Sequence, residues 1–241
     1  MSFQSSPGSP ELICEQAEKW VVPVCRWSLW QESKHDRGSP DVSFIDANSR
    51  RKLSRFAKMA LKVTHDCTFD VPKARFVFAS QYGDITRTTK MLSDLANKEE
   101  LSPMAFSMSV LNSCAGVYSI AKQDCSPTTA ISAGISSFGY GLLEASLQFK
   151  NNPEAPVIYV YVDEAPPSVC EVQRSELLIS RAICILISEK PGINISCQIS
   201  DADNSSSGLV QSKSFVNCLM DKESCFWEGE GRRWSWNYNE Q

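Results

Sequence analysis

The sequence predicts a layered α/β domain, because short apolar runs alternate with segments of helical periodicity. Runs typical of buried strands lie at residues 75–80 and 156–162, a short strand is expected at residues 127–131, and a further strand is expected to end near Ile187. The intervening segments have the length and pattern of helices. From residue 75 onward, the expected order of elements is therefore β-α-α-β-α-β-β.

The clearest amphipathic pattern predicts a helix over residues 48–63. At about 100° per residue, four basic residues share one face of this helix: Arg51, Arg55, Lys58 and Lys62. This face has two interpretations that the residues leave open. It is either a solvated surface above a core stripe or a docking surface for an acidic carrier domain.

Three further helices follow, each with its own pattern. Asp84 is expected to cap a helix with the apolar stripe Ile85, Thr88, Leu92 and Leu95. A helix over residues 112–122 is expected to turn Cys114, Val117 and Ala121 inward. The last runs from Gly134 to Phe149 and is rich in small residues near its start. Since each interior glycine costs about 1 kcal/mol relative to alanine, the small residues predict close packing against another backbone.

Composition excludes several classes of protein. The 241 residues are 42% hydrophobic and carry a net charge of −4, which argues against nucleic acid as the main partner. No apolar run is long enough for a membrane span, and the polar start of the chain lacks the pattern of a secretory signal. The ten cysteines include no C-x-x-C pair, so we expect reduced thiols in a cytoplasmic protein, with no metal site and no cofactor.

The chain is expected to divide into three parts. Residues 1–19 are interpreted as a flexible lead-in, residues 20–190 as the α/β domain, and residues 191–241 as a C-terminal cap or extension. The extension contains aromatic residues beside basic ones, namely Trp227, Arg232, Arg233, Trp234 and Trp236. Such a cluster can bind single-stranded nucleic acid. One short cluster is weak evidence for that function, so a packed strand or cap is favoured. Asp163 and Glu164 form a carboxylate pair at the end of a strand that could act in acid–base chemistry, but a solvated turn before Pro166-Pro167 is the favoured interpretation.

The segment over residues 128–134 is where a nucleophile would be expected. Its Ala130-Ile131-Ser132-Ala133-Gly134 is a loose form of the hydrolase G-x-S-x-G elbow. In that family a histidine follows the serine along the chain, whereas both histidines here, His35 and His65, precede Ser132. A serine without a general base is a weak nucleophile, so a hydrolase is disfavoured.

A second superfamily accounts for more of the sequence. Residues 103–121 contain Asn112-Ser113-Cys114-Ala115-Gly116 and Ser119-Ile120-Ala121, and they are followed by Thr129-Ala130-Ile131-Ser132-Ala133-Gly134. These motifs resemble the interface helix and the T-A-C-A-T-G nucleophile motif of β-ketoacyl synthases. Over about residues 20–190 the chain resembles the N-terminal half of that family, and most of all the short, chain-length-factor-like subunits of aryl polyene biosynthesis. The resemblance implies one half of a thiolase-like fold, a layered mixed sheet with helices on both faces, plus a short C-terminal extension.

The departures from the family pattern decide the expected function. The family's nucleophilic cysteine aligns with Ile131, and the half that supplies the catalytic histidines lies beyond the region of resemblance. We therefore expect no catalytic residue and a subunit that forms an obligate heterodimer with a full-length β-ketoacyl synthase, while an acyl carrier protein binds transiently. The resemblance further implies that this subunit stabilises its partner and bounds the acyl tunnel. Tunnel or interface roles fall on Phe106, Met108, Leu111, Asn112 and Gly116.

Half of such a fold raises a packing problem. Without the second half, an apolar helix layer would be exposed unless the C-terminal extension or a partner covers it. Two alternatives stay open from the residues alone. The chain could be an autonomous thiolase-fold or serine-hydrolase-like acyl enzyme, or a purely structural stabiliser of the synthase with no influence on product length.

Overall fold

The computed structural model describes residues 18–33, 38–170, 179–190, 192–203 and 207–239. The strands are β1 (Glu18–Gln31), β2 (Arg75–Ala79), β3 (Thr128–Ile131), β4 (Val157–Asp163), β5 (Arg181–Ile187), β6 (Ile193–Asp201), β7 (Cys225–Gly229) and β8 (Arg232–Asn239). The helices are α1 (Ala47–Lys52), α2 (Arg55–Thr68), α3 (Ile85–Ala96), α4 (Pro103–Ser107), α5 (Ser113–Lys122), α6 (Ser137–Asn151) and α7 (Gln211–Asp221), with a 3-10 turn at Ser168–Cys170.

The eight strands form one mixed sheet in the order β3-β2-β4-β5-β1-β6-β8-β7. Strand β2 runs parallel to both of its neighbours, β3 and β4, and the remaining pairs are antiparallel. The three parallel strands, of which the sequence predicted β2 and β4 as buried runs and β3 as a short strand, place their carboxyl ends side by side. The long strand β1 pairs with β5 through its second half and with β6 through its first half.

Helices cover both faces of the sheet and create two cores. Strand β4 supplies both, because its side chains alternate: Val157, Tyr159 and Tyr161 face α6 and α7, whereas Ile158, Val160 and Val162 face α2 and α5. The α6 side also receives Trp227, Trp234 and Trp236 from the last two strands. The sequence prediction of a layered sheet with helices on both faces is confirmed.

The helix expected over residues 48–63 is two helices, which corrects the prediction. Asp46 caps α1 by accepting bonds from the backbone amides of Asn48 and Ser49, and α1 ends before Leu53. The side chain of Ser54 then accepts a bond of 3.1 Å from the amide of Ala57 and starts α2. A serine in this position satisfies a free amide at a helix start, and it divides an otherwise continuous amphipathic pattern.

Two helix faces also differ from expectation. On α3 the buried residue is Met91, whereas Leu92 and Leu95 of the predicted core stripe are 61% and 53% exposed. On α5 the predicted inward residue Cys114 is buried, but Ala121 is exposed and Tyr118 takes the inward position. The apolar pattern of α3 is therefore real but lies largely on the surface of this chain.

The expected boundaries between the three parts of the chain do not coincide with breaks in the sheet. Strand β1 begins at Glu18, two residues before the expected start of the domain, and residues 1–17 lie outside the described residues. The expected boundary at residue 190 falls between β5 and β6, and both of these strands bond to β1. Residues assigned to a C-terminal extension thus supply β6, α7, β7 and β8 to the same sheet.

The small residues of α6 allow the close packing that the sequence predicted. A Cβ atom on Gly139 would lie 2.6 Å from Cζ3 of Trp234, and one on Gly141 would lie 2.7 Å from Cβ of Ala79. The helix is closely packed, but the nearest atoms belong to the side chains of Trp234 and Ala79 rather than to another backbone. The neighbour at Gly139 is the indole of β8, so the C-terminal segment covers this part of the helix layer.

This packing predicts opposite effects for two alanine substitutions. Gly139→Ala should lower the free energy of unfolding by about 1–3 kcal/mol, because the new methyl group overlaps the indole. Gly116→Ala on α5, where no atom lies within 4 Å of the new carbon, should raise that free energy by up to about 1 kcal/mol through helix propensity. Urea unfolding followed by circular dichroism measures both. Equal effects of the two substitutions would contradict the close packing of α6.

Candidate functional site

The carboxyl ends of the parallel strands bring together the segments in which the family motif lies. Ile131 ends β3 and packs its partly buried side chain on the α6-side core. The next residue, Ser132, is exposed, and its hydroxyl donates a bond of 3.2 Å to the backbone carbonyl of Gln81, which follows β2. In the described residues, Ser132 has no histidine as a hydrogen-bond partner.

The elbow itself is longer than the sequence suggested. Helix α6 begins at Ser137 rather than at Gly134, and Gly134 adopts a φ of +55°. The hydroxyl of Ser137 accepts a bond of 2.8 Å from the amide of Ala133 and donates one of 2.7 Å to the carbonyl of Gly134. Thr129 accepts a bond of 3.0 Å from Gln148 of α6. These side chains stabilise the turn. The hydroxyl of Ser137, the first residue of α6, is bonded to backbone groups of the turn.

Other candidate nucleophiles and bases lie elsewhere. Cys114 on α5 is buried, and burial raises the pKa of its thiol to about 12. A thiol with so high a pKa stays protonated near neutral pH and is a poor nucleophile. Cys125 is exposed and lies in the loop that precedes β3. His65 stacks on Phe44 at a centroid distance of 3.9 Å, and His35 lies outside the described residues.

Asp163 is an acidic residue that sequence reasoning interpreted wrongly as part of a solvated turn. It accepts bonds of 2.9 Å from both the hydroxyl of Ser80 and the amide of Gln81, and a third bond from the hydroxyl of Tyr161. Burial raises the pKa of the Asp163 carboxyl despite these bonds. The carboxylate ties the ends of β2 and β4 together beside the elbow. No local pattern in the sequence indicates this role.

Glu164 is buried beside Asp163 and belongs to an ion-pair cluster around Arg55. The guanidinium of Arg55 lies 3.1 Å from Glu32 and 3.6 Å from Glu164, and it donates a bond of 2.8 Å to Ser180. It also lies 5.4 Å from the ring centroid of Trp30. Arg55 therefore joins α2 to three distant segments and is not a free surface cation.

The four residues of the predicted basic face therefore do not form one free cationic surface. Besides the buried pairing of Arg55, Lys62 forms an ion pair of 2.8 Å with Asp66 on its own helix. Lys58 is partly buried, and Arg51 is exposed on α1. Within the part of the chain that the structure describes, no carboxylate forms an ion pair with the basic residues of the last turn of α1, which are Arg50, Arg51 and Lys52.

The predicted tunnel and interface residues lie on α4, on α5 and in the connection between them. Phe106 is 62% exposed on α4, whereas Met108 and Leu111 are partly buried against the α2-side core. Asn112 is exposed at the start of α5, and the open position of Gly116 is on the same helix. Phe106, Asn112 and Gly116 therefore lie at the surface, whereas Met108 and Leu111 lie at the edge of the core.

Six large apolar residues are exposed on α3, α4, α5 and their connections, and we call them the α3–α5 face: Leu92, Leu95, Met104, Phe106, Val110 and Ile120. Ile120 is 80% exposed. An open pocket of about 340 Å³ borders Ile120 and is lined by apolar side chains that include Phe44, Leu53 and Val117. Strand β3, which precedes the elbow, forms one edge of the described sheet. Exposed apolar side chains and an unpaired strand edge are each typical of protein interfaces.

The sequence family described as β-ketoacyl synthase, N-terminal domain, matches residues 26–237. The chain belongs to this β-ketoacyl synthase family. The match extends into β8, so β6, β7 and most of β8 lie within the region that the family covers. The predicted resemblance to the N-terminal half of the family is confirmed. No curated protein matches the chain in sequence at a significant level.

Solved structures show the same fold at low sequence identity. A chain in the complex of the ketosynthase ApeO with its chain length factor ApeC from Xenorhabdus doucetiae is 21% identical, with a TM-score of 0.79, and the match covers 90% of this chain and 99% of that one. The ishigamide ketosynthase/chain length factor is 14% identical, with a TM-score of 0.53 and coverage of 70% and 55%. A β-ketoacyl synthase from Burkholderia phymatum STM815 is 9% identical, with a TM-score of 0.52 and coverage of 64% and 46%.

The fold of this β-ketoacyl synthase family member is thus the thiolase-like half-domain that the sequence predicted. No helix among the described residues is long and apolar enough to cross a bilayer. Over the same residues, no group of three histidine, cysteine or acidic side chains has an arrangement that could hold a metal ion.

Proposed function

We propose that the chain is a non-catalytic, chain-length-factor-like subunit that forms a heterodimer with a full-length β-ketoacyl-ACP synthase. The observation that carries the proposal is Ile131 at the end of β3, where the family places its cysteine. Decarboxylative condensation needs a thiolate to hold the acyl group, and Ile131 offers none. The fold shared with a chain of a ketosynthase/chain length factor complex supports the same assignment.

The partner would bind the α3–α5 face and the open edge of β3. Large exposed apolar patches are unusual on monomers, and obligate interfaces bury about 2,000 Å² or more. An edge strand adds backbone groups that a second chain can pair with. We propose that the complex acts in the cytoplasm in type II polyketide or fatty-acid-like synthesis of the aryl polyene class.

Within this interface, Phe106 is the strongest candidate for bounding the acyl tunnel. Its side chain is 62% exposed, so its size is not explained by core packing in this chain. Met108 and Leu111 would support it from the edge of the core, and Asn112 and Gly116 would contact the partner. Loss of the Phe106 ring should therefore alter the partner's products more than the stability of the subunit.

A transiently bound acyl carrier protein would use the last turn of α1 rather than all of the predicted basic face. Acidic carrier domains are attracted by cations that are not already neutralised. Within the described residues, Arg50 and Arg51 form no ion pair with a carboxylate, and Lys52 interacts only with the nearby Asp46, whereas Arg55 and Lys62 are held in ion pairs. Lys58, partly buried on α2, would contribute less.

The heterodimer is tested with Ile120→Lys during co-expression with a full-length synthase. A lysine at this position would bury a charge in the interface, so we expect binding to weaken by about 30-fold or more and co-purification to fail. The chain alone should keep its stability, because Ile120 is 80% exposed and a cation is tolerated near a helix C-terminus.

Met220→Lys is the matched control, since Met220 is 61% exposed and also lies near the end of a helix, α7. This variant should co-purify with the synthase like the unaltered chain. Gel filtration of both complexes gives the readout. An Ile120→Lys subunit that still forms a stoichiometric complex would contradict the proposed interface.

A further inference from the structure

Helix α1 carries the three cations proposed for carrier docking, but its own packing gives it little support. Its six residues all lie in the described part of the chain, and none of them is buried. A helix of this length is marginal in water, because its few hydrogen bonds do not offset the cost of nucleation. Asp46 caps its first turn. The last turn, which contains Arg50, Arg51 and Lys52, therefore needs a contact from elsewhere in the chain to keep a defined geometry.

Arg87 of α3 supplies such a contact. Nη2 of Arg87 donates a hydrogen bond of 3.1 Å to the backbone carbonyl of Lys52, the last residue of α1. Carbonyl groups of the last helical turn have no partner within the helix, and the helix dipole favours a cation beside them. The side chain of Arg87 is only 16% exposed, so most of it is covered by this chain and is not available to a docking protein.

Asp84 holds the guanidinium of Arg87 in this position. Nε of Arg87 lies 3.4 Å from Oδ2 of Asp84, and Oδ1 of Asp84 accepts a bond of 3.2 Å from the backbone amide of Arg87. Asp84 is 3% exposed and is the N-cap of α3. Its charge offsets the repulsion between Arg87 and the ammonium of Lys52, since both side chains line one open pocket of about 480 Å³. A buried carboxylate is thus connected through Arg87 to the basic turn.

We propose that Arg87 is a positioning residue for carrier docking, which fixes the last turn of α1 so that its three cations are presented together. This inference rests on the proposed function and deepens it, because it assigns a residue outside the docking turn to the binding of the acidic carrier. Arg87 itself does not contact the carrier. Its effect on carrier affinity passes through the backbone of α1.

The first test needs no carrier protein and uses the full chain. In Arg87→Met, the amides of residues 47–53 should exchange with deuterium at least about 5-fold faster than in the unaltered chain, because the last turn opens more often. Lys90→Met is the matched control, since Lys90 lies one turn further along α3, is 73% exposed and pairs with Asp94. It removes the same charge and should leave exchange in α1 unchanged. Mass spectrometry gives the readout, and unchanged exchange of α1 in Arg87→Met would overturn the proposal.

The second test measures the affinity of a bacterial fatty-acid acyl carrier protein for the complex of the subunit with a full-length synthase, by isothermal titration calorimetry. Arg87→Met should raise Kd by about 3–10-fold, because binding must then order the turn. Lys90→Met should raise Kd less than about 2-fold, since Lys90 is already paired at the surface. Arg51→Met separates this inference from the proposed function. If Arg51→Met leaves Kd unchanged, the docking turn and the positioning role are both wrong. If Arg51→Met weakens binding and Arg87→Met does not, the positioning role alone is wrong.

Asp84→Asn distinguishes positioning from direct contact by the sign of its effect. Asparagine retains an acceptor for the amide of Arg87, as a helix N-cap requires, but it removes the charge that holds the guanidinium. Positioning predicts weaker carrier binding, because Arg87 is released from the carbonyl of Lys52. Direct contact predicts tighter binding, since the change frees Arg87 and makes the surface more positive towards an acidic carrier. Tighter binding by Asp84→Asn would overturn the proposal even if Arg87→Met does not fold.

Discussion

Trp234→Ala is expected to lower the free energy of unfolding by about 3–5 kcal/mol, the cost typical of removing a fully buried aromatic side chain. Trp234 is 0% exposed on β8 and makes edge-to-face contacts with Trp20 of β1 and Tyr140 of α6, at centroid distances of 6.3 and 5.0 Å. Its ring also fills the space above Gly139. Urea unfolding followed by circular dichroism measures the loss.

Phe226→Ala is the matched control on the neighbouring strand. Phe226 is 53% exposed and stacks with Arg233 at 4.4 Å, an interaction worth about 0.5–1 kcal/mol at a surface. Its loss should therefore be several times smaller. If Trp234→Ala were no more destabilising than Phe226→Ala, residues 191–241 would be a dispensable extension. A large loss from Trp234→Ala would show that they complete the core.

The strands with the clearest apolar runs are those buried on both faces, whereas β3, at the edge of the sheet, is only partly buried. Strands β2 and β4 lie inside the helix–sheet–helix stack, and such strands appear as continuous apolar runs. Strand β5 has the same character. Their position in the chain is therefore visible without knowledge of any partner strand, and their parallel order follows from the helices between them.

Strand β1 was missed because its sequence lacks this signature. It contains Pro23, which has no amide to donate, and polar residues such as Arg26 interrupt its apolar positions. Its register also shifts between Val24 and Arg26. Strand β1 is held by β5 and β6, whose paired residues are at least 150 positions away in the chain. A strand defined by distant partners leaves little local pattern.

The candidate site likewise combines residues that a local sequence pattern indicates with residues that only the fold brings together. The sequence indicated the elbow and Ile131, because the family motif is contiguous. It did not indicate the partners of Arg55, which lie on segments around residues 32, 164 and 180. Helical periodicity placed Arg55 on a basic face with Lys58 and Lys62, but the carboxylates that neutralise it are brought close only by the fold.

Arg55→Met should lower the free energy of unfolding at neutral pH by about 3 kcal/mol, near the lower end of the range for breaking a buried ion pair. The side chain of Glu164 is 7% exposed and that of Glu32 is 11% exposed, so both carboxylates would lose a cation that water cannot fully replace. Methionine retains much of the volume beside Trp30. The loss therefore measures the charge rather than a cavity.

The loss should depend on pH in a direction set by Glu164. Burial raises the pKa of its carboxyl above the ordinary value of 4.5, and Arg55 opposes that rise. In Arg55→Met the pKa should rise further, so the folded state holds a proton that the unfolded state has released. Stability then falls as pH increases above about 4.5 through the raised pKa. The variant should accordingly recover stability relative to the unaltered chain as the pH is lowered from 7 towards 5.

Two controls separate this structural role from carrier docking. The double variant Arg55→Met/Glu164→Gln removes the orphaned charge at Glu164, so it should regain stability at neutral pH and lose most of the added pH dependence. Lys62→Met breaks a half-exposed pair with Asp66 and should cost less than about 0.5 kcal/mol. If Arg55→Met were as harmless to stability as Lys62→Met but weakened carrier binding, Arg55 would be a docking residue. The buried position of its two carboxylate partners argues for the opposite result: the subunit is destabilised whether or not a carrier protein is present.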